Sequence, residues 1–146
     1  ILAYSTISQY GYVVFMFGIG GEHGVAAASF YVIAHALAKS ALFLTAGAVT
    51  EATGQKNLGG VGALARRMPL LAVGSGAAAA GLIALPLTIG FFKDEFYFAA
   101  AWERHPMFGV AAVAGAALTF TYISRFWLGI FGPFRSGSQP KSALKS

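Results

Sequence analysis

Charged side chains are scarce in this 146-residue sequence, making up 10% of it, whereas an average soluble domain has about 25%. Apolar residues make up 57%. A chain of this size leaves much of its residue set at the surface, so as a soluble globule it would expose larger apolar patches than a monomer tolerates. The composition therefore excludes an ordinary soluble globule and indicates that lipid surrounds the chain.

Cysteine is absent, which excludes disulfides, thiolate metal sites and thiol nucleophiles. The three histidines are too few for a histidine-rich metal cluster. We therefore expect no metal, no cofactor and no catalytic redox site in this chain. Acidic residues number five against ten basic ones. In such an apolar chain, we interpret the excess of basic residues as a signal that sets the orientation of the helices in the membrane. We expect no nucleic-acid partner.

The sequence begins at Ile1, without an initiator methionine and without the basic region and cleavage site of a signal peptide. We interpret the chain as a piece of a longer protein. Groups that complete a functional site can then lie outside it.

Long apolar runs predict five membrane helices, because a hydrocarbon core about 30 Å thick needs about twenty helical residues. Between residues 68 and 102 a single helix would measure about 52 Å, so Pro86 and Gly90 are expected to break it. A turn at 20–24 and a polar loop at 50–67 separate the other helices. The predicted helices are Ile1–Gly20, Val25–Val49, Met68–Leu85, Phe91–Trp102 and Met107–Phe131.

The sequence thus predicts an all-α, polytopic transmembrane helix bundle over residues 1–134 and a polar tail over 135–146 that lies at the surface or is disordered. Basic residues in the 50–67 loop and in the tail should both face the cytoplasm. Four membrane crossings, with the Pro86 segment as a kink, place the loop and the tail on the same side of the membrane. Five crossings place them on opposite sides. We favour five, because four leave the overlong helix unexplained.

His35 and Lys39 are ionisable residues near the middle of the second predicted helix. They are four residues apart, so they lie on one helix face. A lysine at the membrane centre costs about 2.5–3.5 kcal/mol on insertion scales, which favours a functional role. Desolvation disfavours the ammonium form, and histidine titrates near neutrality, so the pair can pass a proton through bridging water. The alternative is that Lys39 merely extends to the membrane surface.

Three consecutive charges, Lys93, Asp94 and Glu95, follow the break at Pro86. An interrupted transporter helix places ionisable side chains beside a cavity, which makes these residues candidates for an ion path. Two simpler interpretations remain open. The carboxylates can complement a helix N-terminus at the interface, or Lys93 can form an internal salt bridge that leaves it charged and inert.

Polar residues share one face of the first predicted helix at helical spacing, which could line a hydrated path. The same side chains could instead form hydrogen bonds between helices. These residues are Ser5, Ser8, Gln9 and Tyr12.

Three motifs, in order and at characteristic spacing, resemble the proton-conducting antiporter family. The motifs are the octapeptide 2–9 (LAYSTISQ), the stretch 34–44 (AHALAKSALFL) and the hexapeptide 90–95 (GFFKDE). That family comprises the large subunits of Mrp-type sodium/proton antiporters and the antiporter-like subunits of respiratory complex I. The resemblance covers residues 1 to about 131. It implies two inverted five-helix repeats, of which this chain is similar to most of the second, including its discontinuous helix.

The resemblance also assigns roles. Lys39 matches the lysine of the family's central hydrophilic axis, His35 a histidine of that axis, and Lys93 the lysine near the broken helix that serves the exit path. Tyr31 departs from the pattern, because many relatives have a histidine there, and it is counted with the possible supporting polar groups. Many relatives also have a serine between Phe92 and Lys93.

The expected function is that of a proton-translocating fragment of a multisubunit sodium/proton antiporter in a bacterial plasma membrane. Its path is His35, Lys39 and Lys93, supported by polar groups at Ser5, Ser8, Gln9, Tyr31, Asp94 and Glu95. The implied partners are protons, a monovalent cation, other membrane subunits and lipid. The segment 51–57 resembles the Mrp large subunit more than its complex I counterpart. The alternatives are a pumping subunit of a complex I type oxidoreductase or membrane-bound hydrogenase, and a scaffold without transport.

Overall fold

The structure, a computed structural model, describes residues 1–58 and 61–132. Over those residues it contains five α-helices and no β-strand, which confirms the predicted helical bundle. A 3-10 turn, Leu64–Arg66, precedes the third helix. The helices are α1 (Leu2–Ile19), α2 (Gly21–Thr53), α3 (Pro69–Leu82), α4 (Ile89–Arg104) and α5 (Pro106–Phe131). The predicted tail, 135–146, lies outside the described residues.

Glycine and proline set most of the helix ends. Helix α2 ends at Gly54, whose left-handed φ of 67° lets its N–H donate to the Thr50 carbonyl. Helices α3 and α5 begin with Pro69 and Pro106, where the missing proline N–H costs no helical hydrogen bond. The His105 ring accepts a hydrogen bond from the Met107 N–H at 3.2 Å and so caps α5.

The predicted turn at 20–24 is wrong. Gly20 alone separates α1 from α2, and Glu22 and His23 belong to the first turn of α2. Gly20 and Gly21 have φ angles of 73° and 70°, which glycine adopts without a steric penalty. The chain can therefore reverse within one residue, and α1 and α2 form a tight helical hairpin.

The predicted break near Pro86 is confirmed, because the chain leaves helical geometry between Leu82 and Ile89. Backbone hydrogen bonds stabilise this connection; among them, the Leu85 N–H donates to the Ala80 carbonyl at 3.0 Å, and the Thr88 N–H to the Leu85 carbonyl at 3.2 Å. Ala84 and Leu87 have positive φ angles of 57° and 72°. The break returns α4 to α3, so that Gly90 lies against the backbone of Gly81.

Adding a methyl group at Gly90 is expected to disrupt this contact. A Cβ atom there would overlap the Gly81 carbonyl, which is backbone and cannot move aside as a side chain can. We expect Gly90→Ala to lower the free energy of unfolding by about 3 kcal/mol or more. Heating detergent-solubilised protein and measuring the soluble folded fraction tests this. The control is Gly74→Ala, where the new Cβ meets nothing within 4 Å; equal losses in both variants would refute the steric explanation.

Two apolar clusters hold the bundle together. One lies mainly between α2, α3 and α5 around Leu42, Leu82 and Ile123, and the other lies between α1, α2, α4 and the first half of α5 around Met16 and Tyr31. Large apolar residues also cover much of the outer surface, as the composition predicts. Among the residues that the structure describes, two segments, Gly24–Thr53 and Pro106–Phe131, are long and apolar enough to cross a membrane.

Candidate functional site

Buried polar residues from α1, α2, α4 and α5 meet between the helices. Lys39, His35 and Lys93 are 5%, 5% and 2% exposed, so all three predicted path residues lie inside the bundle. Buried polar groups require hydrogen-bond partners, and the network below supplies most of them. The other buried polar residues of this region are Ser5, Gln9, Asp94 and Thr119.

Lys39 points from α2 toward α1. Its Nζ donates to the Leu2 carbonyl at 3.1 Å and to Ser5 Oγ at 2.6 Å. A lysine ammonium has three donors and no acceptor, so the Ser5 oxygen must accept and its own proton must point away. Ser5 indeed donates to the Tyr122 hydroxyl at 2.5 Å. The bonds thus run in one direction, from Lys39 through Ser5 to Tyr122 on α5.

Gln9 is the centre of the network, one helical turn from Ser5. Its Nε2 donates to Thr119 Oγ1 at 2.7 Å and to the Tyr122 hydroxyl at 3.2 Å. Its Oε1 accepts a hydrogen bond from the Tyr31 hydroxyl. One amide therefore ties α1 to both α2 and α5 and links the Lys39 side of the site to Tyr31.

Lys93 and Asp94 form an ion pair in the first half of α4, with Nζ 2.7 Å from Oδ1. The Lys93 ammonium also lies 4.2 Å from the centroid of the Tyr31 ring, in cation–π geometry. Both charged side chains point into the bundle and are not at its surface. Tyr31 therefore contacts both halves of the site: its hydroxyl binds Gln9 and its ring face holds Lys93.

His35 makes no hydrogen bond to the described part of the chain through either ring nitrogen. Its ring stacks on Tyr31, with centroids 6.3 Å apart, and meets the edge of Tyr10 at 6.2 Å. A buried imidazole without partners is costly unless water or a further protein group reaches it.

An open groove of about 870 Å³ reaches His35 and Lys39 from the side of α1 and α2. Along α2 it continues to Glu51, close to the end of that helix. Lys39 thus borders the groove on one side and contacts Ser5 on the other. The groove therefore brings the outside of the described bundle close to both His35 and Lys39.

Two predicted supporting residues stay outside this network. Ser8 and Glu95 are exposed, although both are adjacent in sequence to residues of the site. The sequence reasoning missed Thr119 and Tyr122, which lie three residues apart on α5 and therefore share a face. Two hydroxyl-bearing residues at that spacing in an apolar helix were the available signal.

Comparisons with known proteins agree with the arrangement of these motifs. Residues 1–119 match the family model described as NADH:quinone oxidoreductase/Mrp antiporter, TM. The chain is 40% identical to NADH-quinone oxidoreductase subunit L of Pseudomonas aeruginosa over 86% of its own length and 20% of the relative's. It is 31% identical to Na(+)/H(+) antiporter subunit A1 of Staphylococcus haemolyticus, over 98% and 21% of the two lengths.

A solved structure shows the same fold. The Mrp complex from Dietzia sp. contains a chain that aligns with 97% of this one at a TM-score of 0.82 and 39% identity, and 16% of that chain is covered. The sequence therefore spans about a fifth or less of the length of these relatives. It is an integral membrane protein segment, and it belongs to the NADH:quinone oxidoreductase/Mrp antiporter transmembrane family.

Proposed function

We propose that this chain is the proton-conducting part of a subunit of a multisubunit monovalent cation/proton antiporter. The observation that carries the proposal is the polar network inside an apolar bundle. It extends from Lys39 through Ser5, Tyr122 and Gln9 to Tyr31, which contacts Lys93. A buried ammonium is expensive in a membrane, and such groups mark ion pathways.

In this proposal protons move between Lys39 and Lys93. The groove brings water and protons to Lys39 and His35, and Asp94 stabilises Lys93 when it is charged. Ser5, Gln9 and Tyr31 supply hydrogen bonds along the way. The names of the relatives support three further parts of the proposal: exchange of protons for a monovalent cation, assembly with other membrane subunits, and a location in a bacterial plasma membrane.

The test is transport by the complete protein with its partner subunits in liposomes. A sodium or potassium gradient should drive protons in the opposite direction, measured with a pH-sensitive dye inside the vesicles. Proton movement that needs neither sodium nor potassium, together with NADH-dependent pumping in the native membrane, would instead indicate a pumping subunit of a complex I type oxidoreductase, the second candidate described below. A correctly assembled complex that moves no protons would leave only a scaffold.

The second candidate is a pumping subunit of a complex I type oxidoreductase. It is favoured by the 40% identity to NADH-quinone oxidoreductase subunit L. The same side chains would carry protons in both cases, and the driving reaction would differ. Genes for quinone-reducing subunits beside this one would support this candidate over the antiporter.

Replacing His35 by glutamine is expected to slow transport and change its dependence on pH. Imidazole takes up and releases protons near neutrality, whereas an amide does not. The measurement is the transport rate between about pH 6 and 9. The control is His105→Gln, since His105 is an exposed cap of α5. A His35→Gln profile that superimposes on that of the unmodified protein would remove His35 from the path.

A further inference from the structure

A second groove lies at the end of the bundle where α2 passes into the loop that follows it. It measures about 300 Å³, a volume within the range of small-molecule sites. The start of α1, the second half of α2 and the end of α5 line it together with the loop. None of the polar side chains between Lys39 and Lys93 lines it. This loop-side groove is therefore separate from the site described above.

The wall of the loop-side groove changes from apolar to polar along its length. Between the helices the lining residues are apolar and include Leu2, Ala46, Val49, Phe126 and Ile130. Beyond the end of α2 they are the exposed residues Gln55, Lys56 and Asn57. The groove begins at Phe43, ten residues before the end of α2, which is a helical rise of roughly 15 Å. That length is about half of a hydrocarbon core of about 30 Å, the thickness of one lipid leaflet.

We propose that the loop-side groove binds one acidic phospholipid, with an acyl chain along α2 and its phosphate at Lys56. The proposal goes beyond the proposed function and does not depend on it. The apolar wall favours an acyl chain, because each CH₂ group that is buried adds to the binding free energy. Water would find few hydrogen-bond partners along the same wall.

Charge complementarity favours an acidic headgroup. Lys56 forms no ion pair with the residues that the structure describes. The amides of Gln55 and Asn57 beside it can donate N–H groups to the same phosphate. Glu51, an acidic residue near the end of α2, lines the other groove and not this one. Basic loops face the cytoplasmic leaflet, and that leaflet carries the acidic lipids.

The loop-side groove is open at the outer surface of the described bundle. Ile1 and Phe43 line it and are 49% and 46% exposed. An acyl chain can therefore enter it sideways from the bilayer. The hydrogen bond from the Ala63 N–H to the Gly132 carbonyl, at 3.2 Å, ties the loop to the end of α5 and so keeps the polar end of the groove beside its apolar wall.

The first experiment titrates the complete, assembled protein in detergent with phosphatidylglycerol or phosphatidylcholine and counts bound lipids by native mass spectrometry. The unmodified protein should bind phosphatidylglycerol more tightly. Lys56→Gln should weaken that binding by about fivefold, the usual effect of one basic residue near an acidic membrane surface, and should affect phosphatidylcholine less.

Arg67→Gln is the matched control. It removes an exposed positive charge from the same loop, but Arg67 does not line the loop-side groove. It should leave the binding of phosphatidylglycerol unchanged. Equal losses in Lys56→Gln and Arg67→Gln would indicate general attraction to a basic surface and overturn the proposal.

Filling the groove tests the position of the acyl chain. Ala46→Leu adds three carbon atoms to the wall, and it should weaken the binding of phosphatidylglycerol by at least about tenfold because it displaces CH₂ groups of the lipid. The control is Ala52→Leu, since Ala52 is exposed on the same helix and lines neither groove. Normal binding by a folded Ala46→Leu protein overturns the proposal. If that variant does not fold, the comparison of Lys56→Gln with Arg67→Gln decides.

A structure of the complete protein in nanodiscs that contain phosphatidylglycerol gives an independent test. Density for an acyl chain along α2 that ends in a headgroup at Lys56 supports the proposal. A segment of protein in the groove, or a lipid whose headgroup lies elsewhere, overturns it. None of these measurements reads transport, so their failure would leave the proposed function standing, and a failure of transport would leave the lipid site standing.

Discussion

Replacing Lys39 by methionine in the complete, assembled protein is expected to reduce proton transport by about a hundredfold or more. Methionine has a similar unbranched shape but no titratable group, so the variant removes the proton carrier without opening a large cavity. The donors to the Leu2 carbonyl and to Ser5 are lost, while Ser5 keeps its bond to Tyr122. Transport is measured in liposomes with an internal pH-sensitive dye.

The matched control for this variant is Lys56→Met. Lys56 is a lysine that lies three residues beyond the end of α2, and its side chain is exposed. It should retain full transport. A Lys39→Met protein that assembles and transports normally would contradict the path and favour the scaffold interpretation.

The second large effect is expected when Asp94 is replaced by asparagine. The change leaves the Lys93 ammonium buried without its ion-pair partner, and breaking one side of a buried pair costs about 3–5 kcal/mol. Cation–π contact with Tyr31 replaces only a small part of that interaction. We therefore expect a marked loss of thermal stability in detergent, together with slower transport.

Glu95→Gln is the control, because Glu95 is the next residue and is exposed. It should change neither stability nor transport appreciably. A double variant, Lys93→Met with Asp94→Leu, separates the two roles of the pair. Replacing both charges with apolar side chains should restore stability, since buried pairs are often no better than such a substitution, yet transport should remain lost. If the double variant transports protons, Lys93 does not belong to the path.

The helices of this chain could be predicted because lipid imposes a simple constraint on length and polarity. The break at Pro86 follows from the same constraint, as the uninterrupted helix is too long for the bilayer. The turn after α1 was misplaced because Gly20, Gly21 and Gly24 gave several possible positions, and sequence does not reveal which glycine adopts the positive φ. The structure uses Gly20 and Gly21 for this.

The site could be predicted only in part. Lys39 was identifiable because charge is costly near the middle of a membrane helix, and Lys93 because it belongs to a run of charges that follows the break at Pro86. Their neighbours were not, because hydroxyl groups such as those of Thr119 and Tyr122 are tolerated throughout apolar helices and give no comparable signal. Which of them face the lysines depends on how α5 rotates against α1. That rotation is set by packing, as at Gly115, where a side chain would meet the Tyr12 hydroxyl.

The one-residue connection at Gly20 bears on how the protein enters the bilayer. Both acceptors of the Lys39 ammonium, the Leu2 carbonyl and Ser5, belong to α1, the segment synthesised immediately before. If α1 and α2 enter the bilayer together as a hairpin, the Lys39 ammonium already has its hydrogen bonds to α1 and is not exposed to lipid acyl chains without a partner. The same side chains that serve the mature path would then also lower the energetic barrier to biogenesis.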